Sequence, residues 1–398
     1  MAAAEANYLQ RKDYRAVAYA HFMVDMLNSS RALLVAILAV LLGLSNTQVA
    51  IILLLYNVGN ALSQPLFGRL ADRIGPRWPV VGGVAWMVVF YAISALAPPY
   101  LALAALTVAG LGSGAFHPTG TMVASEASEK HRTQATSVFF MAGQLGLFVG
   151  PVAAGVLLEQ FGRSGYIVLP ALAFSALVGA WHWLKTKPAA AERPPGHSET
   201  AVARAALPDQ LYRRAILIAI VILCVGTISQ AAITFAPKLF TELGYSASYV
   251  GLVAGIFMLG SAVGGVTGGV LADRWNGRIT ILLATSAALI PTFYYVNAPD
   301  FARLLLMILT GFFIGMPHSI LVLMVQQLLP GQRAMASGLA LGFMFFSGSL
   351  GVLAVGFIAD QIGLAQALQL TAFLTIVAFA ATLLLPKASV HYSLNSVR

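Results

Sequence analysis

The sequence of 398 residues has few charged residues and a single cysteine. Only 9% of its residues are Asp, Glu, Lys or Arg, whereas 59% are hydrophobic. No soluble domain buries that much apolar surface, but a protein with many membrane-spanning helices requires it. The lone Cys224 excludes an intrachain disulfide. The sequence also lacks phosphate-binding glycine loops, ATPase motifs and zinc-spaced Cys/His clusters, so we expect no metal and no cofactor.

Long hydrophobic runs take up most of the chain. A helix needs about 20 apolar residues to cross a bilayer. Twelve segments have this length: 16–43, 46–68, 78–97, 100–124, 134–158, 165–185, 213–240, 247–270, 279–297, 301–328, 334–358 and 366–386. Their apolarity is continuous and does not alternate, which argues against a β-barrel. The predicted fold class is therefore an all-α membrane protein with twelve transmembrane helices in two repeats.

Positive charge lies almost entirely on one side of the predicted topology. The chain has 23 Lys and Arg against 14 Asp and Glu, for a net charge of +9. If both termini are cytoplasmic, 19 of the 23 basic residues fall in cytoplasmic segments and three fall outside. This distribution follows the positive-inside rule. We therefore expect an integral protein of a bacterial-type cytoplasmic (inner) membrane, with both termini cytoplasmic and no nucleic-acid partner.

The sequence contains an internal duplication with an offset of 201 residues. The decapeptide GRLADRIGPR at 68–77 returns as GVLADRWNGR at 269–278, and glycines and serines match in register over about 120 residues without a gap. Such repeats are how transporter folds are built. We predict an N-terminal six-helix half at 1–185, a cytoplasmic linker at 186–212 and a C-terminal six-helix half at 213–398.

The repeated decapeptide joins helices 2 and 3 in one half and helices 8 and 9 in the other. Its glycine would let another helix approach, its aspartate would accept from a helix start, and its arginines would meet carboxylates or helix C-termini. We interpret it as a cytoplasmic latch that releases as the halves rock; a solvated turn that only fixes topology is the alternative. The predicted latch residues are Gly68, Asp72, Arg73, Arg77, Asp273, Arg274 and Arg278.

A twelve-helix chain with this decapeptide after helix 2 and a degenerate copy after helix 8 resembles the major facilitator superfamily over nearly its whole length. In helix 5, GQLGLFVGPVAAG is similar to the Gly-Pro motif of facilitator antiporters. Four of its residues would kink that helix and let it pack closely: Gly146, Gly150, Pro151 and Gly155.

Two shorter stretches resemble the fosmidomycin resistance proteins, which are drug exporters. They are HFMVDMLNSS at 21–30 and GSGAFHPTG at 112–120. The resemblance implies export by alternating access. Many proton antiporters of the superfamily carry an arginine in helix 4, but LTVAGLGSG at 106–114 has none. Coupling is therefore expected to come from helix 1.

Helix 1 has a polar face that its repeat lacks. His21, Asp25, Asn28 and Arg31 lie within about a third of the helix circumference, and helix 7 has Ile, Gly, Ser and Ala at the matching positions. A cation this deep in a membrane costs about 2.5–3.5 kcal/mol, which favours a water-filled cavity. We predict that Asp25 and His21 couple protons and that Arg31 and Asn28 bind substrate. The alternative is a buried ion pair of Asp25 with Arg31 or with His21.

Other candidates lie on helices 4, 5, 7 and 10. His117 and His318 are repeat mates, each beside a proline, and they line a central cavity or stabilise broken helices. His117 is also a second candidate for the proton site. The predicted substrate-binding set is completed by His117, His318, Gln144 and Gln230.

The sequence thus predicts a secondary active transporter that exports small organic, drug-like or anionic compounds in exchange for protons. Its expected partners are the small-molecule substrate, protons and the lipid bilayer, and we expect a monomer. An importer of an organic anion or nutrient is the alternative within transport, because the fold does not determine direction. A membrane-embedded enzyme is the remote alternative.

Overall fold

The computed structural model describes residues 8–128, 132–184, 186, 209–328 and 333–385, which are almost entirely helical and contain no strand. A short 3-10 turn at Tyr8–Gln10 precedes fourteen described helices. They are α1 (Lys12–Leu42), α2 (Asn46–Ile74), α3 (Arg77–Leu96), α4 (Pro99–Ser125), α5 (Arg132–Gly165), α6 (Val168–Trp183), α7 (Asp209–Glu242), α8 (Ala247–Arg274), α9 (Gly277–Tyr294), α10 (Asp300–Gly315), α11 (Pro317–Leu328), α12 (Arg333–Ile362), α13 (Leu364–Thr371) and α14 (Leu374–Leu383).

These helices supply the predicted set of twelve spans. Within the described ranges, ten helical stretches are long and apolar enough to cross a membrane, and two shorter apolar helices lie at Val168–Trp183 and Phe346–Ile362. Two of the ten stretches are pairs of helices, α10 with α11 and α13 with α14. The first pair is broken before Pro317, because a proline lacks the N–H that would continue the helical bonding. The all-α, twelve-helix fold class is confirmed.

Two helix ends differ from the predicted boundaries. Helix α2 continues to Ile74 and α8 to Arg274, six and four residues beyond the apolar segments. The first part of each decapeptide copy is therefore helical, and its prediction as a connecting loop is wrong. An arginine in the last helical turn is favourable because it faces the partial negative charge of the helix C-terminus. The first copy turns only at Gly75, where φ is 87°.

The chain divides into two compact units. Unit 1 comprises Met1–Leu44, Ile52–Arg204 and Phe240–Gly255, and unit 2 comprises Ser45–Ile51, Ala205–Leu239 and Ile256–Arg398. Each unit thus includes a short segment from the other sequence repeat. The predicted linker lies largely outside the described residues, and the division into six-helix halves stays a prediction.

Glycines bring α5 close to two other helices of unit 1. A Cβ at Gly146 would overlap the backbone of Phe22 in α1, and one at Gly150 would overlap Met26. A Cβ at Gly155 would lie 3.0 Å from the Cα atom of Ser248 at the start of α8. The residue of α5 with non-helical angles is Gly162 (φ 63°), at the end of the helix and not at Pro151. These glycines are therefore used for close packing.

Candidate proton and substrate site

His21 is fixed between helices α1 and α5. Its ring is buried and stacks on Phe139 of α5, with ring centroids 4.1 Å apart. The Nδ1 atom lies 2.8 Å from the backbone carbonyl oxygen of Phe139. A carbonyl oxygen can only accept, so Nδ1 carries the hydrogen. The other ring nitrogen, Nε2, faces Oδ2 of Asp25 at 3.1 Å, one helical turn further along α1.

Asp25 is bridged by a second imidazole, from α4. Nε2 of His117 lies 3.3 Å from Oδ1 of Asp25. Nδ1 of His117 faces the carbonyl oxygen of Ser113 at 2.8 Å, so this ring also uses Nδ1 as a donor to its own helix. The two rings meet edge to face, 5.3 Å apart. The structure therefore brings together the three residues predicted for proton coupling, with the carboxylate at the centre.

A polar network extends from this cluster to α2. The amide nitrogen of Asn28 donates to Oδ1 of Asp25 at 3.0 Å and to the hydroxyl of Ser113 at 3.1 Å. The amide oxygen of Asn28 accepts from the hydroxyl of Tyr56. Tyr56 is buried, and sequence reasoning missed it. Its repeat mate is Phe257, so loss of the hydroxyl in the second repeat was the available signal.

Arg31 lies two helical turns beyond Asp25 and is only 9% exposed. Its Cζ atom is 3.4 Å from the ring centroid of Tyr56, close enough for a cation–π contact. Its Nε and Nη1 atoms are buried and have no hydrogen-bond partner among the described residues. Of the two predicted alternatives, Asp25 lies within ion-pair distance of His21, whereas the described residues contain no ion pair between Asp25 and Arg31. The site thus combines a hydrogen-bonded cluster of one carboxylate and two imidazoles with unsatisfied cationic donors.

Gly143 of α5 is a second site residue that sequence reasoning missed. A Cβ added there would lie 2.6 Å from Oδ2 of Asp25 and 2.6 Å from the ring of His21. The absence of a side chain therefore makes room for the contact between these two groups. Its repeat mate is Met344, so broken repeat symmetry would have identified this position as well.

The remaining predicted substrate residues are Gln144, Gln230 and His318. The side chain of Gln144 is exposed. Gln230 and His318 belong to unit 2. Gln230 is half-buried, and its Cγ lies 2.9 Å from where a Cβ of Gly348 would be. The side chain of His318 is exposed, one residue after the break between α10 and α11.

The predicted latch residues divide into two groups. Arg77 donates to the carbonyl oxygen of Trp181 at the end of α6, and Arg278 donates to those of Thr382 and Leu383 at the end of α14. The arginines are repeat mates, and so are Trp181 and Thr382. Each arginine thus holds a helix C-terminus within its own unit, as predicted for the arginines of the motif.

The other latch residues lie on the last turns of α2 and α8. Their side chains are exposed at Arg73, Asp273 and Arg274, and the Asp72 side chain lies outside the described part of the structure. Gly68 is at ordinary contact distance from Pro118, since a Cβ there would be 3.9 Å from it. A latch role for these residues stays a prediction.

Sequence comparisons identify transporters as relatives. The family model of the Major Facilitator Superfamily matches residues 17–246 and 218–396. The fosmidomycin resistance protein of Escherichia coli K12 is 27% identical over 385 residues, which cover 93% of this chain and 92% of the relative. The gentisate transporter of Corynebacterium glutamicum is 25% identical over 303 residues, which cover 74% of this chain and 68% of the relative.

Solved structures with the same fold are also transporters. The crystal structure of the nucleoside transporter NupG has a TM-score of 0.74 at 13% identity, covering 95% of this chain and all of NupG. A bacterial homologue of the human lysosomal transporter Spinster has a TM-score of 0.73 at 14% identity, covering 94% of this chain and 97% of that chain. At these identities the likeness establishes the fold.

Proposed function

The chain belongs to the major facilitator superfamily and is a transport protein rather than an enzyme; from this premise we propose that it exports small organic anions in exchange for protons. The observation that carries the proposal is the polar face of α1, where a carboxylate bridged by two imidazoles lies two turns from a buried guanidinium with free donors. Proton binding and anion binding would thereby use the same polar face of one helix.

The hydrogen-bond pattern supports two bound protons. Both imidazoles use Nδ1 to donate to a carbonyl oxygen, so each Nε2 facing Asp25 needs a hydrogen of its own to be attractive. The two contacts therefore require two protons, shared among Asp25, His21 and His117. Loss of either proton leaves two lone pairs facing each other, which favours a rearrangement of α1 against α4 or α5. Deprotonation is in this way linked to helix movement.

The substrate class follows from Arg31. Leaving a buried guanidinium with two unpaired N–H groups is costly, and a bound oxyanion removes that cost by accepting from both. A carboxylate or phosphonate has the geometry for such a bidentate contact. Tyr56 packs on one face of the guanidinium, so the Nε and Nη1 atoms on its edge keep their hydrogen-bonding capacity for a ligand. Asn28 and His117 would contact the remainder of the substrate.

The names of the relatives agree with this reading. The resistance protein supports export of a drug-like compound, and gentisate is an organic carboxylate. The second candidate is import of an organic anion, because the name of the gentisate transporter gives an organic carboxylate as substrate and no direction of transport. In both cases the repeated decapeptide would close the cytoplasmic face, with the termini on that side as the charge distribution indicates.

The test is transport by purified protein in liposomes under an imposed pH gradient, with a panel of phosphonates, carboxylates and neutral compounds. Export coupled to protons predicts that an anionic compound accumulates on the side of lower pH, in exchange for protons moving down their gradient. Accumulation on the side of higher pH would favour proton-coupled import. Accumulation of neutral compounds alone would contradict the assignment of Arg31.

A further inference from the structure

The first N–H groups of α2 bind a carboxylate from a helix more than 300 residues away. The backbone nitrogens of Asn46 and Thr47 donate to the two oxygens of Asp360 at 2.7 Å and 3.0 Å. The hydroxyl of Thr47 donates to the same carboxylate at 2.6 Å. Asp360 lies in the last turn of α12. All three residues belong to unit 2, although they come from opposite sequence repeats.

Unit 1 contains the matching arrangement. The backbone nitrogen of Ser248, at the start of α8, donates to Oε2 of Glu159 on α5 at 2.9 Å. Glu159 and Asp360 are separated by the repeat offset of 201 residues, and so are Thr47 and Ser248. The same device therefore occurs twice, with the acid and the helix start exchanged between repeats.

A glycine one turn before each acid allows the approach. A Cβ at Gly155 would lie 3.0 Å from the Cα atom of Ser248, and a Cβ at Gly356 would lie 2.8 Å from the carbonyl oxygen of Asn46. Gly155 and Gly356 are also repeat mates. The spacing Gly-x-x-x-acid thus brings a helix start against the glycine and places the carboxylate over its N–H groups.

The distant acids complete caps that the local sequence leaves unfinished. The hydroxyls of Ser45 and Ser246 accept from the third N–H groups of α2 and α8, at 3.2 Å and 3.3 Å. An isolated helix leaves four N–H groups without intrahelical partners, and a carboxylate near them is also favoured by the helix dipole. Asp360 binds the first two N–H groups of α2, and Glu159 binds the second N–H group of α8. Each helix start therefore keeps this additional cap only while a residue of the other repeat is in place.

The two caps are of unequal strength. Asp360 accepts two backbone N–H groups and a hydroxyl, and buried Lys238 donates to the side chain of Asn46 at 2.9 Å. Glu159 accepts from one backbone N–H group of α8, and the hydroxyls of Ser246 and Ser248 also lie against it. The residue matching Lys238 in the first repeat is Ile37, which cannot donate.

We propose that Glu159 and Asp360 are releasable caps that hold closed the membrane face at which α1 ends and α2 begins. The inference rests on the proposed function only in that the two repeats move against each other during transport. Any such movement that opens this face must break bonds between residues of opposite repeats. Both carboxylates are exposed, so water replaces the lost donors and the caps can open and reform repeatedly.

Distances between spin labels on this face test the proposal without any substrate. In a Cys224→Ser background, one pair of cysteines replaces Leu41 and Gln361, and a separate pair replaces Leu243 and Gln160, all exposed in the structure. Loss of a charged cap typically shifts an equilibrium by about 2- to 30-fold. We expect Asp360→Asn to raise the open-to-closed ratio on the order of tenfold, and Glu159→Gln to raise it about threefold.

Asp300→Asn is the matched control, because Asp300 lies at a helix start on the same face and pairs with Arg303 of its own helix. A second variant, Thr47→Val, removes one donor and keeps the carboxylate. If the cap works through this donor, the double variant shifts the ratio by less than the product of the single shifts. Shifts no larger than that of Asp300→Asn, or fully multiplicative effects, would overturn the proposal. Absence of uphill transport in liposomes would contradict the proposed function and leave these distance shifts unchanged.

Discussion

Replacing Asp25 by Asn removes the carboxylate that lies between the imidazoles of His21 and His117. Each proton exchanged across a gradient of one pH unit supplies about 1.4 kcal/mol, which sustains a tenfold substrate ratio. Two protons, the number that the contacts of His21 and His117 require, would sustain a ratio of about 100-fold with the membrane potential held at zero. The variant cannot complete the cycle of proton binding, so we expect its accumulation ratio to fall to about one.

The assay compares uphill accumulation with counterflow in the same liposomes. Asp25→Asn should still exchange labelled for unlabelled substrate, because Arg31 and the helix packing are retained. Asp13→Asn is the control, since Asp13 pairs with Arg11 at the start of the same helix. A wild-type ratio near tenfold would indicate that one of the two protons is carried. Accumulation by Asp25→Asn at the wild-type level would refute the assignment of this cluster.

Three further changes have defined outcomes. Arg31→Ala should raise the Kd of an anionic substrate by about 10- to 150-fold, because a hydrogen bond to a charged group is lost, and it should leave the Kd of neutral compounds unchanged. Arg31→Lys should recover part of the affinity. Unchanged binding in both variants would contradict an anion site at Arg31. Gly143→Ala should separate Asp25 from His21 and abolish uphill transport. Gly82→Ala is the control and should keep uphill transport, because a Cβ at Gly82 meets nothing within 4 Å. Equal activity of the two variants would refute the packing argument. Asp72→Asn should impair transport while leaving substrate binding to the detergent-purified protein intact. Asp273→Asn should impair transport less, because the turn after Asp273 lacks the Gly-Pro pair of the first copy. Full activity of both variants would mean that the motif serves only to set the topology.

Hydrophobic length was sufficient to predict the fold class and most helix positions. A spanning helix must satisfy every backbone group internally, so its position follows from apolarity alone. The ends of α2 and α8 could not be found in this way, because charged residues remain helical beyond the hydrocarbon region and apolarity no longer marks them. The break between α10 and α11 has a local cause, Pro317. A proline within an apolar run does not always produce a break, since Pro118 lies inside the unbroken α4.

The charged residues of the candidate site could be predicted from the sequence, whereas its tyrosine and its glycine could not. His21, Asp25 and Arg31 stand out because charge is expensive in an apolar helix. Tyr56 and Gly143 do not, since an aromatic residue and a glycine are ordinary in membrane helices. Their roles arise from tertiary contact, namely a ring under Arg31 and an empty position beside Asp25. Only the comparison with the second repeat would have revealed them.

His117 and His318 show how one duplicated residue acquires two environments. His117 precedes a proline and His318 follows one, and the two histidines occupy equivalent positions in the repeats. The duplication therefore preserved the imidazole ring. In the first repeat the ring reaches Asp25, but the residue matching Asp25 in the second repeat is Gly226, which offers no acceptor. A histidine in both repeats is therefore not evidence of a shared role. The chemistry of the ring depends on the carboxylate opposite it, which only the first repeat supplies.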